Sequence, residues 1–387
     1  MPWDDLANNQ TISFTNLKDA VDTGVFSPKT TVPVSNEQIT KSEANAYVWI
    51  DTLFGPYASK ANNQLVVKSN LSCGTPLTVT TNLEWSGIAN NETTSSPIQL
   101  LAGQNNNLDG RIFRSTDYGV NYSSVLLISN ALYDIKFMPS FRHASYLSVP
   151  PFLAVGASGR IVTNSVTDCS SWITISSPTV QTLSAIAFNS SIGIIVGTSR
   201  ILRTDTTLRI NSWSIVNSFS VSWRAVASDG SNFIAVGEND SIATSNSIGG
   251  TWTLRSMPPL SPSKNLQGVT YHTDGFWYAV GFDSINTSLP YIMRSSDTGV
   301  NWSTYIPTDF NLIIGQLLSI KSIGGRLVMG GENYQYQIRN NVVTRCGANT
   351  AGITTIGWNS IVKDAATSNG FDMAGSSTGL NGAYSNF

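Results

Sequence analysis

The chain has 387 residues, yet Asp, Glu, Lys and Arg make up only 12% of it, about half the share usual in soluble domains. Its 24 acids and 22 bases leave a formal charge of -2, which argues against nucleic acid as a partner, because phosphate binding needs a surplus of Lys and Arg. Three cysteines (Cys73, Cys169, Cys346) and two histidines (His143, His272) leave little room for a zinc site or a disulfide framework, and neither metal nor cofactor is expected. No apolar run approaches the roughly 18 residues of a membrane span, so no membrane insertion is expected. The opening Met-Pro-Trp-Asp-Asp-Leu lacks the basic and apolar regions of a secretory signal.

Residues 1–74 show no repeat. Gly24, Pro28 and Pro33 punctuate them, and one helix is predicted over residues 36–50, with Ser35 as N-cap and Glu37 and Gln38 in the first turn. Ile39, Glu43, Ala46, Tyr47 and Ile50 share one face of that helix, a narrow apolar stripe. A segment of this size buries little surface alone. It is either a lid or plug on the domain that follows, or a docking module ordered by a partner. Two stretches carry a resemblance: Ile12-Ser13-Phe14-Thr15-Asn16-Leu17-Lys18-Asp19-Ala20-Val21 with Gly24-Val25-Phe26, and Ile39-Thr40-Lys41-Ser42-Glu43-Ala44-Asn45-Ala46-Tyr47. They are similar to the opening of virion fibre and tail proteins in phages of Bacteroidetes, crAss-like phages included. The resemblance implies an adaptor that binds other virion proteins through residues 1–70 and carries a separate C-terminal domain. It also accounts for the missing signal, since phage structural proteins assemble in the host cytoplasm.

From residue 75 onward the chain repeats. A short apolar run ends on Gly103, Gly156, Gly197, Gly237, Gly281, Gly330 and Gly375, at intervals of 40 to 53 residues. That is the period of four-stranded propeller blades, and seven such units predict a seven-bladed all-β propeller. Each unit has the same order. An alternating first strand (Trp223-Arg224-Ala225-Val226-Ala227) precedes a turn and the glycine-ended second strand. A third strand such as Ile292-Met293-Arg294 follows, and an aromatic opens the fourth. Continuous apolar second strands fit burial between stacked sheets.

Between third and fourth strands lies the sharpest motif. Ser115, Asp117, Gly119 and Tyr122 match Ser295, Asp297, Gly299 and Trp302 in the pattern Ser-x-Asp-x-Gly-x-x-aromatic, and Ser245, Gly249 and Trp252 keep the spacing. The physics is that of a turn: Asp accepts backbone amides, Gly takes a positive φ and the aromatic anchors the turn. The pattern resembles the Asp-box of sialidase-like propellers, where it is structural and lies away from the active site. The last unit stops after its third strand, so residues 76–81 are predicted to supply its fourth and close the ring.

Catalytic chemistry is mostly missing. The sialidase resemblance would require an arginine trio, a Tyr–Glu pair and an acidic Asp, but the early Arg-Ile-Pro signature is absent. Glu238 and Glu332 follow second-strand glycines, where a turn role is expected; Asp134, Asp229, Asp283 and Asp309 are loop candidates for a carboxylate pair. No catalytic residue is assigned. Arg114, Arg203 and Arg294 each precede the turn motif, and Arg339 ends the corresponding strand of the sixth unit. They form either a basic belt for an anionic partner or local pairs with carboxylates and aromatics. Long loops between second and third strands carry the expected ligand contacts: Asn105, Asn106, Asn107, Asp283, Asn286, Tyr334 and Tyr336, whose amides and rings suit sugars. The expected protein is a non-enzymatic tail or fibre component of a virion, binding a host-surface glycan or receptor. A glycan-cleaving enzyme on the same fold and a purely structural head or tail decoration are the alternatives.

Overall fold

The computed structural model describes residues 83–345, apart from 94, 106, 118–120, 205–206, 247, 256–262 and 333. It also describes the strands at 58–61, 64–67, 77–78, 356–363, 371–377 and 383–386. The chain divides into Met1–Cys73 and Gly74–Phe387. Within the first unit, Ala58–Ala61 pairs antiparallel with Gln64–Val67, a hairpin that the sequence did not suggest. The helix expected at 36–50, and with it Cys73, Cys346, Asn106 and Gly119, lies outside the described residues.

The second unit is a seven-bladed β-propeller of four-stranded antiparallel sheets. Blades 1 to 6 each use four consecutive strands, from Leu83–Asn90 to Val342–Arg345. Blade 7 takes Ile356–Lys363, Phe371–Ser377 and Ala383–Asn386 from the chain's end, and its fourth strand is Leu77–Thr78. Leu77 lies opposite Tyr384 and Thr78 opposite Ala383, so the ring is joined by strand pairing rather than left with an open edge.

The core is a series of seams between adjacent blades. In blade 3, Ile194 and Val196 pack toward blade 4, against Trp223, Phe233 and Trp252. Ile195, between them, faces blade 2 among Met138, Phe141 and Leu153. Side chains alternate across a strand, so a strand buried on both faces must be apolar throughout. That is why Gly193–Gly197 and its counterparts read as unbroken apolar runs. Each fully buried Leu, Ile or Val contributes about 1.5–3 kcal/mol relative to exposure.

A bulge recurs in the first strand of every blade, where one residue is left without a register partner. These extra residues are Ser86, Tyr133, Ser184, Arg224, Gln267, Leu318 and Asn359, and all line the central channel. The bulge explains the repeated glycine. It brings the preceding carbonyl onto the second strand, so a Cβ at Gly197 would lie 2.0 Å from the Thr182 oxygen and one at Gly281 would lie 2.0 Å from that of Asn265.

Candidate functional site

The loops expected to bind ligand use most of their polar atoms to fold themselves. Asn105 Oδ1 accepts from the backbone amides of Asn107 at 3.0 Å and Asp109 at 2.9 Å, and its Nδ2 donates to Asp109 Oδ2. Asp283 is buried; Lys264 Nζ donates to it at 2.8 Å, and it accepts from the amides of Ile285 and Asn286. The Lys264 hydrogen bond, aided by those amides, holds the Asp283 carboxyl at about 2. Tyr334 is half-buried beneath the Arg345 guanidinium. Tyr336 requires a correction: it is fully buried, its hydroxyl exchanging hydrogen bonds with the backbone of Ile314, so its ring has no open face for a sugar. Burial pushes that hydroxyl up to about 12. Asn107 and Asn286 remain exposed.

The turns between third and fourth strands emerge at the opposite ends of these strands. Ser295 Oγ donates to Asp297 Oδ1 at 2.8 Å, and Asp297 accepts both the backbone and side-chain nitrogens of Asn301. Those bonds, the backbone one first, hold the Asp297 carboxyl below its ordinary range. Ser115, Asp117 and Asn121 repeat the arrangement, and Tyr122 donates to Gln99. Trp302 Nε1 donates to the Gly299 oxygen at 3.0 Å and Trp252 Nε1 to that of Gly249 at 3.2 Å; Ser245 Oγ donates to the Thr251 oxygen. Trp172 and Trp213 make the same contact with Cys169 and Ile210. Burial pushes the Cys169 thiol up to about 12, so it is a small core residue rather than a nucleophile.

Each such turn also covers the preceding blade. A Cβ at Gly249 would lie 2.6 Å from Ile194 Cδ1, and one at Gly299 would lie 2.5 Å from Ile234 Cδ1. The repeated arginines belong to the same contact. Arg114 donates to the Asp168 carbonyl and carboxylate in the turn of blade 2, and Arg203 to the Ile248 carbonyl in the turn of blade 4. They make local pairs, not a belt. Arg339 is not their equivalent, because the residue at that register in blade 6 is Gln337, opposite Val328.

Arg294 is the exception. Its covering turn would come from blade 6, where the third and fourth strands, Gln335–Arg339 and Val342–Arg345, are joined by Asn340 and Asn341 alone, both at positive φ. With no long turn there, a cleft of about 760 Å³ opens between blades 5 and 6. Its floor includes Tyr278, which stands where Ile194 and Ile234 stand in blades 3 and 4. Tyr278 donates to Asp274 Oδ2 at 2.7 Å, Tyr305 donates to Asn341 Oδ1 at 2.8 Å, and His272 Nδ1 lies 2.7 Å from Ser322 Oγ. The Arg294 guanidinium lies over two rings, 4.8 Å from the centre of Phe276 and 4.9 Å from that of Tyr305. It donates to the Tyr278 hydroxyl and forms no ion pair among the described residues. Burial raises both tyrosines and lowers His272.

The central channel, about 570 Å³, holds a second polar group. Asp134, expected in a loop, lies on the first strand of blade 2, at a position that is Gly, Ala or Ser in the other blades. Lys136 donates to it at 2.6 Å, and the amides of Ile135 and Ile186 complete its shell. Lys321 also lines the channel; burial, with repulsion from the Lys136 ammonium, lowers it to about 8. Asp229 closes a hairpin turn through the amides of Ser231 and Asn232, and Asp309 sits at positive φ before a short turn. Glu238 pairs with Arg224. Among the described residues, no three His, Cys, Asp or Glu side chains cluster as metal ligands, and no helix is long and apolar enough to cross a membrane.

No protein-family model matches this chain, and no curated protein matches it in sequence. Solved structures do. The chain is similar to YCF48 bound to D1 peptide, with a TM-score of 0.59 and 13% identity over 81% of this chain and 95% of that one. It is also similar to the WD40 β-propeller domain of Doa1, with a TM-score of 0.55 and 12% identity over 80% of this chain and 97% of the other. At these identities the likeness concerns the fold.

Arg294 was visible in the sequence by its position. Asp274, Tyr278, Thr304, Tyr305 and Asn341 were not assigned. Two signals pointed there: Tyr278 replaces an aliphatic residue in the second-strand run, and the sixth unit lacks the Ser-x-Asp-x-Gly turn.

Proposed function

We propose that this chain is a non-enzymatic tail or fibre protein of a phage virion, attached to other virion proteins through residues 1–70, whose propeller binds a host-surface glycan. The cleft between blades 5 and 6 carries this reading. Hydroxyls and amides of Thr304, Tyr305, Asn340 and Asn341 converge there beside a fixed guanidinium, a lining that suits a polar, hydroxyl-rich ligand. The turn geometry at Asp117 and Asp297 supports placing the propeller among Asp-box folds, and the wording of residues 12–26 and 39–47 supports the virion anchor. A glycosidase needs two facing carboxylates. The cleft lining has one, Asp274, and the channel lining has one, Asp134, already engaged by Lys136 and two amides. That distribution favours binding over cleavage.

Attachment of the purified protein to host cells tests the proposal. Asn341→Ala with Thr304→Ala should weaken attachment, and Asn107→Ala with Asn286→Ala, on the other face, should leave it unchanged. The opposite pattern moves the binding surface to the long loops. Unaltered attachment in all four substitutions together sinks the adhesin reading and favours a structural decoration. Release of reducing sugar from host polysaccharide would favour the enzyme.

A further inference from the structure

Arg294 is a positioned cation that forms no ion pair among the described residues. In blades 1 and 3 the arginine at this position donates to a carbonyl in the next blade's turn, and in blade 5 that acceptor does not exist because the blade 6 turn is two residues long. The guanidinium lies over the rings of Phe276 and Tyr305 and bonds to the Tyr278 hydroxyl, contacts that fix its position. A planar fork of donors matches a planar, two-oxygen acceptor. The one carboxylate of the cleft, Asp274, is engaged elsewhere, accepting from the Tyr278 hydroxyl and the Phe276 amide. The rest of the rim is neutral: Thr304, Asn340 and Asn341 are exposed side chains that bond to hydroxyls.

We propose that this cleft reads a uronate residue of an acidic polysaccharide, with Arg294 holding the sugar carboxylate edge-on and Asn340, Asn341 and Thr304 bonding to the ring hydroxyls. The inference rests on the glycan-binding function proposed above and adds the charge of the ligand. A neutral sugar would leave the guanidinium's charge uncompensated in a half-buried site. A peptide carboxylate would use Arg294 but not the ring of neutral hydroxyl and amide groups.

The test is direct binding of the full chain to a panel of polyuronates including alginate and polygalacturonate, to the same polymers after carboxyl reduction, and to poly-glutamate. The expected result is tighter binding to a polyuronate than to its reduced form or to poly-glutamate. Arg294→Lys, which keeps the charge and loses the fork, should weaken uronate binding by roughly 10- to 100-fold and shrink the preference for the native over the reduced polymer. Because Arg294 also packs on two rings, thermal unfolding of the variant is measured alongside. If it unfolds early, the wild-type preference for the carboxylate form decides alone. Equal binding to native and reduced polymers overturns the inference and leaves the glycan reading standing, as does a neutral host glycan whose binding is indifferent to Arg294→Lys. Equal or tighter binding of poly-glutamate overturns it in favour of a protein ligand. Absence of binding to every glycan, host polysaccharide included, removes both.

Discussion

The seam between blades 4 and 5 and the seam between blades 5 and 6 start from the same plan and end differently. In the first, Ile234 and Thr244 lie beneath the turn that carries Gly299 and Trp302, and the surface is sealed. In the second, the equivalent residues are Tyr278 and Arg294, and the covering turn has shrunk to Asn340 and Asn341. Removing one lid from a repeated structure turns core positions into cleft positions. Beneath it Tyr278 stands in the place of an aliphatic residue, and the arginine, which bonds to the covering turn in blades 1 and 3, loses that acceptor. A binding site can thus arise in a ring by subtraction at one blade rather than by elaboration of a loop.

The largest expected effect breaks the sealed seam. Trp302→Ala removes a nearly buried indole and its bond to Gly299, and should cost about 3–5 kcal/mol by urea unfolding. A loss below about 1 kcal/mol would mean that the turn is not the lid described above. Next comes a pair of glycines that contrasts the two seams. Both take positive φ, but a Cβ at Gly299 would strike Ile234, whereas one at Gly325 in the open cleft meets nothing within 4 Å. Gly299→Ala should cost about 2–3 kcal/mol and Gly325→Ala about 1 kcal/mol. Equal costs would show that backbone strain, not the covering contact, matters.

A turn graft sharpens the comparison. Replacing Asn340 and Asn341 with the sequence of residues 296–301 and their following tryptophan should cover Arg294. Ligand binding should then fall at least about 10-fold, a coupling of roughly 1.4 kcal/mol, with no loss of urea midpoint. Persisting binding would place the site elsewhere.

Alkaline pH should act on the aromatic seam. Tyr278 and Tyr336 have raised folded-state values, chiefly through burial. Unfolded tyrosine titrates near 10, so above that pH the unfolded chain releases protons that the folded one keeps. Their contribution is whole below about pH 10 and declines above it by up to about 1.4 kcal/mol per pH unit each. For Tyr336 it is lost as pH passes about 12. Urea midpoints at pH 9 and pH 11 should therefore differ, and Tyr278→Phe should flatten the difference. The smallest effect belongs to Glu238→Gln, which breaks an exposed pair with Arg224 and should change stability by no more than about 1 kcal/mol.

Much of the fold was legible because one physical constraint repeats. In blades 1 to 6 the second strand is buried on both faces and ends on a glycine pressed by a bulge carbonyl, which in blade 6 is Gly331 rather than the expected Gly330. The apolar run and its glycine therefore recur with the blade. The turn chemistry of Ser295, Asp297 and Trp302 is local, within eight residues, and could be read directly. The cleft could not. Arg294 looks like Arg114 and Arg203 in sequence, and what separates them is the length of a turn more than forty residues away. Tyr336 and Asp283 failed as ligand candidates for a related reason. An exposed-looking loop residue is consumed by whatever packs against it, here Ile314 for one and Lys264 for the other.

By itself, the sequence determined the class of architecture, the count of its blades and the polar chemistry of their turns, because these depend on periodicity and on contacts between near neighbours. The low charge belongs to this part, since many short strands require many turns rich in Asn, Ser, Thr and Gly. Only the tertiary structure decided which polar side chains are already paired and which face solvent unpaired. Pairing across a seam depends on what the next blade contributes, and for Arg294 the next blade contributes no acceptor and leaves an open cleft.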